Sequence, residues 1–189
     1  MNDIQILQEM LHPDAQVMLQ SGSGRPSAQL TDLQSDMTVE IKGIPPDSIV
    51  IRAEDFENPL TIFNGTKGER KRADFVIVSN DERGRKWIIC IETQEMDAKQ
   101  AFHVVQQLKG AYCFISYCKY IGKSFWVSDD FLNGYQYRFV SIVELNFNRS
   151  KRRTQPFQSM GQLHNRPEVF LKISRSPTVL FHKLIDPVF

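Results

Sequence analysis

Two carboxylate side chains lie at matched positions around a predicted β-hairpin. Asp74 lies near the start of the apolar run 73–79, and Glu92 directly follows the apolar run 87–91. A hairpin turn centred on Arg83 places Asp74 opposite Glu92, about 5 Å apart at Cβ, where like charges repel. A divalent cation between the two carboxylates reverses that repulsion, and magnesium prefers hard oxygen ligands. The pair therefore predicts half of a metal site.

The elements that must position this pair follow from hydrophobic periodicity. The two hairpin runs are apolar on both faces, which is typical of central strands of a sheet that helices cover on each side. Apolar residues recur with helical spacing from Ala101 to Tyr112, so a helix is predicted from an N-cap at Asp97 to about Tyr120, with Gly110 as its weak point. Further strands or short apolar elements are predicted at 38–43, 48–52, 125–127, 137–143, 169–173 and 178–185.

The chain is predicted to divide near residue 36. Residues 1–36 are expected to form a short helix, with apolar residues at helical spacing from Ile4 to Leu11, and then a flexible loop that contains the Ser/Gly/Pro segment 21–26. Residues 37–189 are expected to form one α/β core domain with a central mixed sheet flanked by helices.

Composition excludes several classes of protein. With 189 residues, 41% hydrophobic and 24% charged, the chain is one domain's worth of globular sequence and neither disordered nor coiled-coil. The formal charge of +1 excludes a global positive field, so any nucleic-acid contact must use local patches. No apolar run approaches the ~20 residues of a membrane span.

The three cysteines are expected to be reduced, and reduced cysteines favour a cytoplasmic location. Cys113 and Cys118 are expected to pack against the sheet.

The segment 72–78, the hairpin, the segment 87–94 and a helix bearing Gln107-Leu108 together resemble the PD-(D/E)xK nuclease superfamily. The resemblance implies a restriction-endonuclease-like domain in which Asp74 and Glu92 bind magnesium or manganese and the carbonyl of Thr93 adds a third oxygen. It also implies hydrolysis of phosphodiester bonds by water that the metal activates.

The sequence departs from the family's pattern at one position. Gln94 stands where the family has its lysine, so the motif is E-x-Q. Gln94 can only orient water through hydrogen bonds. Lys99, in the first turn of the predicted helix, is a candidate replacement for the missing ammonium, although a first-turn lysine is more often solvated. The family's additional upstream acid has three candidates, Glu54, Asp55 and Glu40.

Nucleic acid, with DNA ahead of RNA, is the partner that the resemblance implies. Contacts are predicted from the basic loop, here defined as Lys67, Arg70, Lys71 and Arg72, and from Gln107 on the helix, with Arg149, Lys151, Arg152 and Arg153 as further candidates. Two functions stay open at this point. One is a nuclease of a prokaryotic defence or mobile-element system that works as a homodimer or within a larger complex. The other is a catalytically weakened subunit that binds nucleic acid or protein.

A structural reading of the same residues is also open. Asp74 is then a strand-end residue paired with Arg72 or Arg70, Glu92 caps the following helix, and the basic loop is a solvated turn.

Overall fold

The computed structural model describes residues 1–22, 24–32, 37–56, 62–95, 101–144, 163–174 and 176–185. Within these ranges the chain forms three α-helices and nine strands. They are α1 (Asp3–Met10), β1 (Gln16–Val17), β2 (Ser27–Asp32), β3 (Met37–Lys42), β4 (Asp47–Arg52), β5 (Phe75–Asn80), β6 (Lys86–Glu95), α2 (Ala101–Phe125), β7 (Gln136–Glu144), β8 (Leu171–Ser174), β9 (Thr178–Leu180) and α3 (Phe181–Ile185). A short 3-10 turn at Ala53–Asp55 follows β4.

The strands form a six-stranded mixed sheet and a smaller three-stranded sheet. The larger sheet has the order β1-β4-β5-β6-β7-β8, antiparallel from β1 to β6 and parallel from β6 to β8. The long helix α2 is the crossover that joins the parallel neighbours β6 and β7. The smaller sheet pairs β2 antiparallel and β9 parallel with β3. The predicted α/β fold with a central mixed sheet is confirmed.

Side chains of the central strands alternate between two cores. Val76, Val78 and Cys90 pack on one face with α1 and α2, whereas Phe75 and Ile89 pack on the other face with the smaller sheet and α3. This alternation accounts for the apolar runs of β5 and β6, because each strand is buried on both faces. The second face is covered by α3 and by the smaller sheet, whereas the sequence pattern predicts helices alone on that face.

The hairpin has the predicted register, with Ser79 opposite Trp87 and Phe75 opposite Ile91. Asp81 holds the turn, since its carboxylate accepts hydrogen bonds from the backbone N–H groups of Arg83 and Arg85 and from the Arg85 guanidinium.

The N-terminal segment contributes to the core. The predicted helix is α1, which begins with a capping box between Asn2 and Gln5 and buries Ile4, Ile6 and Leu7. The predicted loop is shorter than expected, because residues 27–32 form strand β2.

Two predicted elements differ at the C-terminal side. The strand predicted at 125–127 is wrong, because α2 continues through Phe125 and Val127 is exposed with a left-handed φ of 52°. The element predicted at 178–185 is a strand followed by a helix, β9 and α3. None of the helices among the described residues combines the length and apolarity that a bilayer crossing requires.

Gly110 is a packing site of α2. A Cβ at Gly110 would lie 1.7 Å from the carbonyl oxygen of Lys71, so the backbone that leads into β5 crosses the helix at this residue. The residue predicted to weaken the helix therefore allows the basic loop to approach it.

Candidate active site

The carboxylate of Asp74 is fixed to strand β6. Its Oδ2 accepts a hydrogen bond from the backbone N–H of Thr93 and another from the Thr93 hydroxyl, each 2.6 Å long. The backbone carbonyl of Asp74 accepts a hydrogen bond from the N–H of Ala53 at 2.8 Å, which ties the residue to the 3-10 turn after β4. Asp74 makes no ion pair with the other described residues, so the structural pairing with Arg72 or Arg70 is not what is observed.

Glu92 lies directly before Thr93 on β6 and is completely buried. The observed pairs of the hairpin end with Phe75 opposite Ile91, one residue before the predicted pair of Asp74 and Glu92, so the opposition of the two carboxylates stays a prediction. By strand alternation, Glu92 lies on the same face as Cys90, which packs against α2. By the same alternation, the side chain of Thr93, whose hydroxyl donates to Asp74, lies on the other face of the sheet. All three residues lie at the end of the hairpin from which the chain continues to α2, and the observed hydrogen bonds join Asp74 to Thr93.

Burial and neighbouring acids change the acidity of Asp74. Asp74 is 7% exposed, and its burial raises the pKa of its carboxyl from 3.8 to about 7. The two hydrogen bonds from Thr93 oppose this shift, whereas the negative charges of Asp32 and Glu54 add to it. The Asp74 carboxyl is therefore about half ionised near neutral pH.

Glu54 is the upstream acid that the structure brings to Asp74. Its backbone N–H lies 3.4 Å from the Asp74 carbonyl oxygen, and burial together with the charges of Asp32 and Asp55 raises the pKa of its carboxyl. Asp55 is its exposed neighbour in the same turn. Glu40 lies in β3 and forms an ion pair with Lys42 at 3.2 Å.

Asp32 is a member of the cluster that was not predicted from the sequence. It is the last residue of β2 and is 5% exposed, and its charge acts on both Asp74 and Glu54. A signal was present in the sequence, since Ala28, Leu30 and Asp32 occupy the buried positions of an alternating strand. We use "the acidic cluster" for Asp32, Glu54 and Asp74 together with the buried Glu92 on the neighbouring strand β6.

The remaining predicted catalytic residues are only partly described. The backbone of Gln94 lies in β6, and its side chain is outside the described part of the structure. Lys99 also lies outside the described residues. Their roles stay predictions.

The donor set fits magnesium in its chemistry, since carboxylate, carbonyl and hydroxyl oxygens are hard ligands and magnesium takes few of them from protein. The number of grouped side-chain ligands is small. Within the described ranges, no three Asp, Glu, His or Cys side chains are grouped so that they could hold a metal ion. Any cation would therefore rely on two carboxylates with backbone and water oxygens.

The basic loop docks on α2 and is not a free turn. The Arg72 guanidinium lies 5.2 Å from the ring centre of Phe56 and donates hydrogen bonds to the carbonyls of Lys71 and Glu69. Its burial lowers the pKa of Arg72. The Lys71 ammonium is hydrogen-bonded to the Nδ1 atom of His103 on α2. Lys67 is the exposed cation of the loop, whereas the others are half-buried.

Gln107 is half-buried on α2. The neighbouring Gln106 donates a hydrogen bond to the carbonyl of Lys67 at 2.9 Å, which joins the helix to the basic loop. The second group of predicted nucleic-acid contacts, Arg149, Lys151, Arg152 and Arg153, lies outside the described residues.

The cysteines differ in exposure. Cys90 and Cys118 are buried, and burial raises the pKa of the Cys118 thiol to about 12. The expectation that Cys113 packs against the sheet is wrong, because its side chain is on the solvent face of α2.

Comparison with protein-family models, with curated proteins and with solved structures gives no match. The function must therefore be argued from the residues and their geometry.

Proposed function

We propose that the protein is a magnesium-dependent nuclease that hydrolyses phosphodiester bonds in nucleic acid at the acidic cluster. The observation that carries the proposal is the buried carboxyl of Asp74, on which the charges of the buried Asp32 and the half-buried Glu54 act, with Glu92 buried on the neighbouring strand β6. Burying carboxyl groups near one another costs stability, because each charge is desolvated and repels the next. Strongly shifted carboxyl groups of this kind are concentrated at functional sites.

The order of the elements supports the proposal. Asp74 precedes one strand, Glu92 lies on the next, and α2 follows and packs against the same sheet face. This is the arrangement that the PD-(D/E)xK resemblance implies for a metal-binding pair.

Each residue of the cluster has a distinct role in the proposal. Asp74 and Glu92 hold the cation, with the backbone carbonyl of Thr93 as a third oxygen. The cation, when bound, polarises the phosphoryl group and acidifies water. The N–H and hydroxyl of Thr93 orient the Asp74 carboxylate, and Asp74 gives up its proton when a cation arrives because the positive charge favours its ionised form.

Burial, to which the charges of Asp32 and Glu54 add, keeps the pKa of Asp74 at about 7 until then. Their negative charges also attract a cation to the end of the hairpin. These two residues therefore act through the electrostatic field and need not be ligands.

A second candidate function is a nuclease-like subunit that binds nucleic acid or protein without efficient cleavage. Gln94 at the position of the family's lysine favours it, as does the absence of a three-ligand group within the described ranges. Participation in a prokaryotic defence or mobile-element system, homodimer formation, membership of a larger complex and a cytoplasmic location stay predictions.

Cleavage assays with isosteric variants test the proposal. Supercoiled plasmid, linear single-stranded DNA and RNA are incubated with Mg²⁺ or Mn²⁺ and with wild type, Glu92→Gln, Asp74→Asn or Asp129→Asn. Asp129 is an exposed acid in the turn that follows the C-terminal end of α2, and removing it makes the same change in charge.

The nuclease proposal expects metal-dependent cleavage by wild type and by Asp129→Asn, and loss of cleavage in the two cluster variants. Equal cleavage by Glu92→Gln and wild type contradicts it, because the activity then comes from elsewhere. Binding of nucleic acid without cleavage by folded wild type favours the second candidate.

A further inference from the structure

Helix α2 exposes aromatic rings on the face that points away from the sheet. The solvent-facing side of an ordinary surface helix is polar, and rings in this position mark a binding surface. The most exposed aromatic residues of the helix and their exposed fractions are Phe102 67%, Tyr117 54%, Tyr120 72% and Phe125 78%.

The charges on the same helix are positive. The 25 residues of α2 include no aspartate or glutamate, and its lysines are Lys109, Lys119 and Lys123. Lys109 forms an ion pair with Glu168 at 2.8 Å. Lys119 and Lys123 make no ion pair within the described part of the chain, so both ammonium groups are available to an anionic ligand.

The basic loop continues this surface at the first half of the helix. The Lys71 ammonium contacts His103, and the Lys67 carbonyl accepts the hydrogen bond from Gln106. Cationic and aromatic side chains are therefore distributed along α2, from its first turn beside the basic loop to its last residue, Phe125. Phe102 and Phe125 are separated by roughly 35 Å along the helix axis. Phe102, Tyr117 and Lys123 lie within about 60° of Tyr120 around the helix, Lys119 lies at the edge of this side, and Phe125 ends the helix. We use "the α2 face" for these six residues.

We propose that the α2 face binds single-stranded nucleic acid, with bases stacked on the exposed rings and phosphates neutralised by the lysines. Alternating rings and cations are the combination that binds single strands without sequence preference. A duplex keeps its bases stacked inside, so exposed rings on a convex helix offer it nothing beyond phosphate contacts. The positive sign of the helix selects a polyanion over a neutral apolar partner.

This inference shares only the class of ligand with the proposed nuclease. Binding at the α2 face needs neither a metal ion nor the acidic cluster. An experiment in EDTA therefore tests it separately, and failure of cleavage leaves its outcome unaffected.

The experiment measures fluorescence anisotropy of a labelled fifteen-nucleotide oligothymidine in EDTA at several salt concentrations. Tyr120→Ala is expected to weaken binding about five-fold or more, because one stacked base is lost. Tyr120→Phe keeps the ring and is expected to bind like wild type. Lys123→Gln is expected to lower the slope of log K against log salt by about 0.7, the value for one phosphate contact on a single strand. All three changes are at exposed or half-exposed positions, and thermal unfolding confirms that each variant is folded.

Cys113 provides a readout of location. It lies one helical turn before Tyr117 and is exposed, whereas Cys90 and Cys118 are buried. Saturating oligonucleotide is expected to slow the reaction of Cys113 with a thiol reagent at least several-fold, and a duplex of the same sequence at equal concentration is expected to protect it less.

Three results would overturn the inference. One is equal affinity of wild type and Tyr120→Ala, and another is unchanged reactivity of Cys113 in the saturated complex. The third is absence of oligonucleotide binding together with a concentration-dependent dimer that Tyr120→Ala dissociates, since the α2 face is then an interface between two copies of the chain.

Discussion

Replacing Asp74 by asparagine is expected to stabilise the protein at alkaline pH. The pKa of the Asp74 carboxyl is about 7 in the folded chain against 3.8 as the reference value. The folded state therefore binds a proton more tightly than the unfolded state, and stability falls as pH rises from about 4 to about 7. Above that range both states are ionised and the cost is complete.

The size of the effect follows from the two pKa values. A carboxyl that titrates at about 7 in the folded chain and at 3.8 in the unfolded chain costs about 4 kcal/mol of stability when both are ionised. The asparagine side chain of the Asp74→Asn variant carries no charge, and its amide oxygen can accept the two hydrogen bonds from Thr93. We expect the variant and wild type to be similar in stability near pH 4 and the variant to be more stable by up to about 4 kcal/mol at pH 8.

Urea unfolding at pH steps from 4 to 8 measures this difference, with the fluorescence of the buried Trp87 as one signal. Asp129→Asn, which removes a carboxylate from an exposed turn, is the charge-matched control. A constant difference between wild type and Asp74→Asn across this range would refute the reasoning, because the carboxyl would then ionise alike in both states. A variant less stable than wild type at pH 8 would do the same.

Two further predictions concern the contacts around Asp74. Thr93→Val removes one 2.6 Å hydrogen bond to the ionised carboxylate, so the pKa of Asp74 is expected to rise above 7 by about one pH unit, which carboxyl ¹³C NMR measures and which Thr93→Ser should not show. Gly110→Ala places a Cβ 1.7 Å from the Lys71 carbonyl and is expected to cost about 2 kcal/mol or more in urea unfolding, although glycine to alanine in a helix ordinarily stabilises. Gly22→Ala, which meets open space, is the control, and a stabilised Gly110→Ala variant would contradict the observed packing.

The hairpin could be predicted from the sequence because its determinants are local. Two apolar runs and one polar turn specify the register, and the structure pairs Ser79 with Trp87 as expected. The predicted opposition of Asp74 and Glu92 rests on the same register and lies one residue beyond the observed pairs. The long helix was predicted for the same reason, since its apolar spacing is contained in one segment.

The smaller sheet could not be predicted from local patterns. Strand β9 pairs with β3 across more than 130 residues of sequence. The sequence pattern predicts a loop where β2 forms and pairs with β3. Asp32 reaches Asp74 only because this sheet packs on the face of the larger one. The alternation of residues 27–32 indicates that Asp32 is buried, but its position beside Asp74 is a tertiary effect that the spacing does not predict.

The strand predicted at 125–127 fails for the opposite reason. Its apolar residues fit a strand, but Phe125 and Val127 are exposed while Cys118 and Gly122 continue the buried stripe of α2. Helical packing outweighs β-propensity there.

The most direct test of the acidic cluster as a cation site is calorimetric titration of Mg²⁺ and Mn²⁺ in two buffers with different ionisation enthalpies. Binding to ionised Asp74 is expected to release about half a proton at pH 7, because a group with a pKa of about 7 is half protonated there, and far less at pH 8. Glu92→Gln and Asp74→Asn are expected to lose this signal, and Asp129→Asn to keep it. Absence of metal binding by folded wild type, or binding that releases no proton at pH 7, would contradict the account.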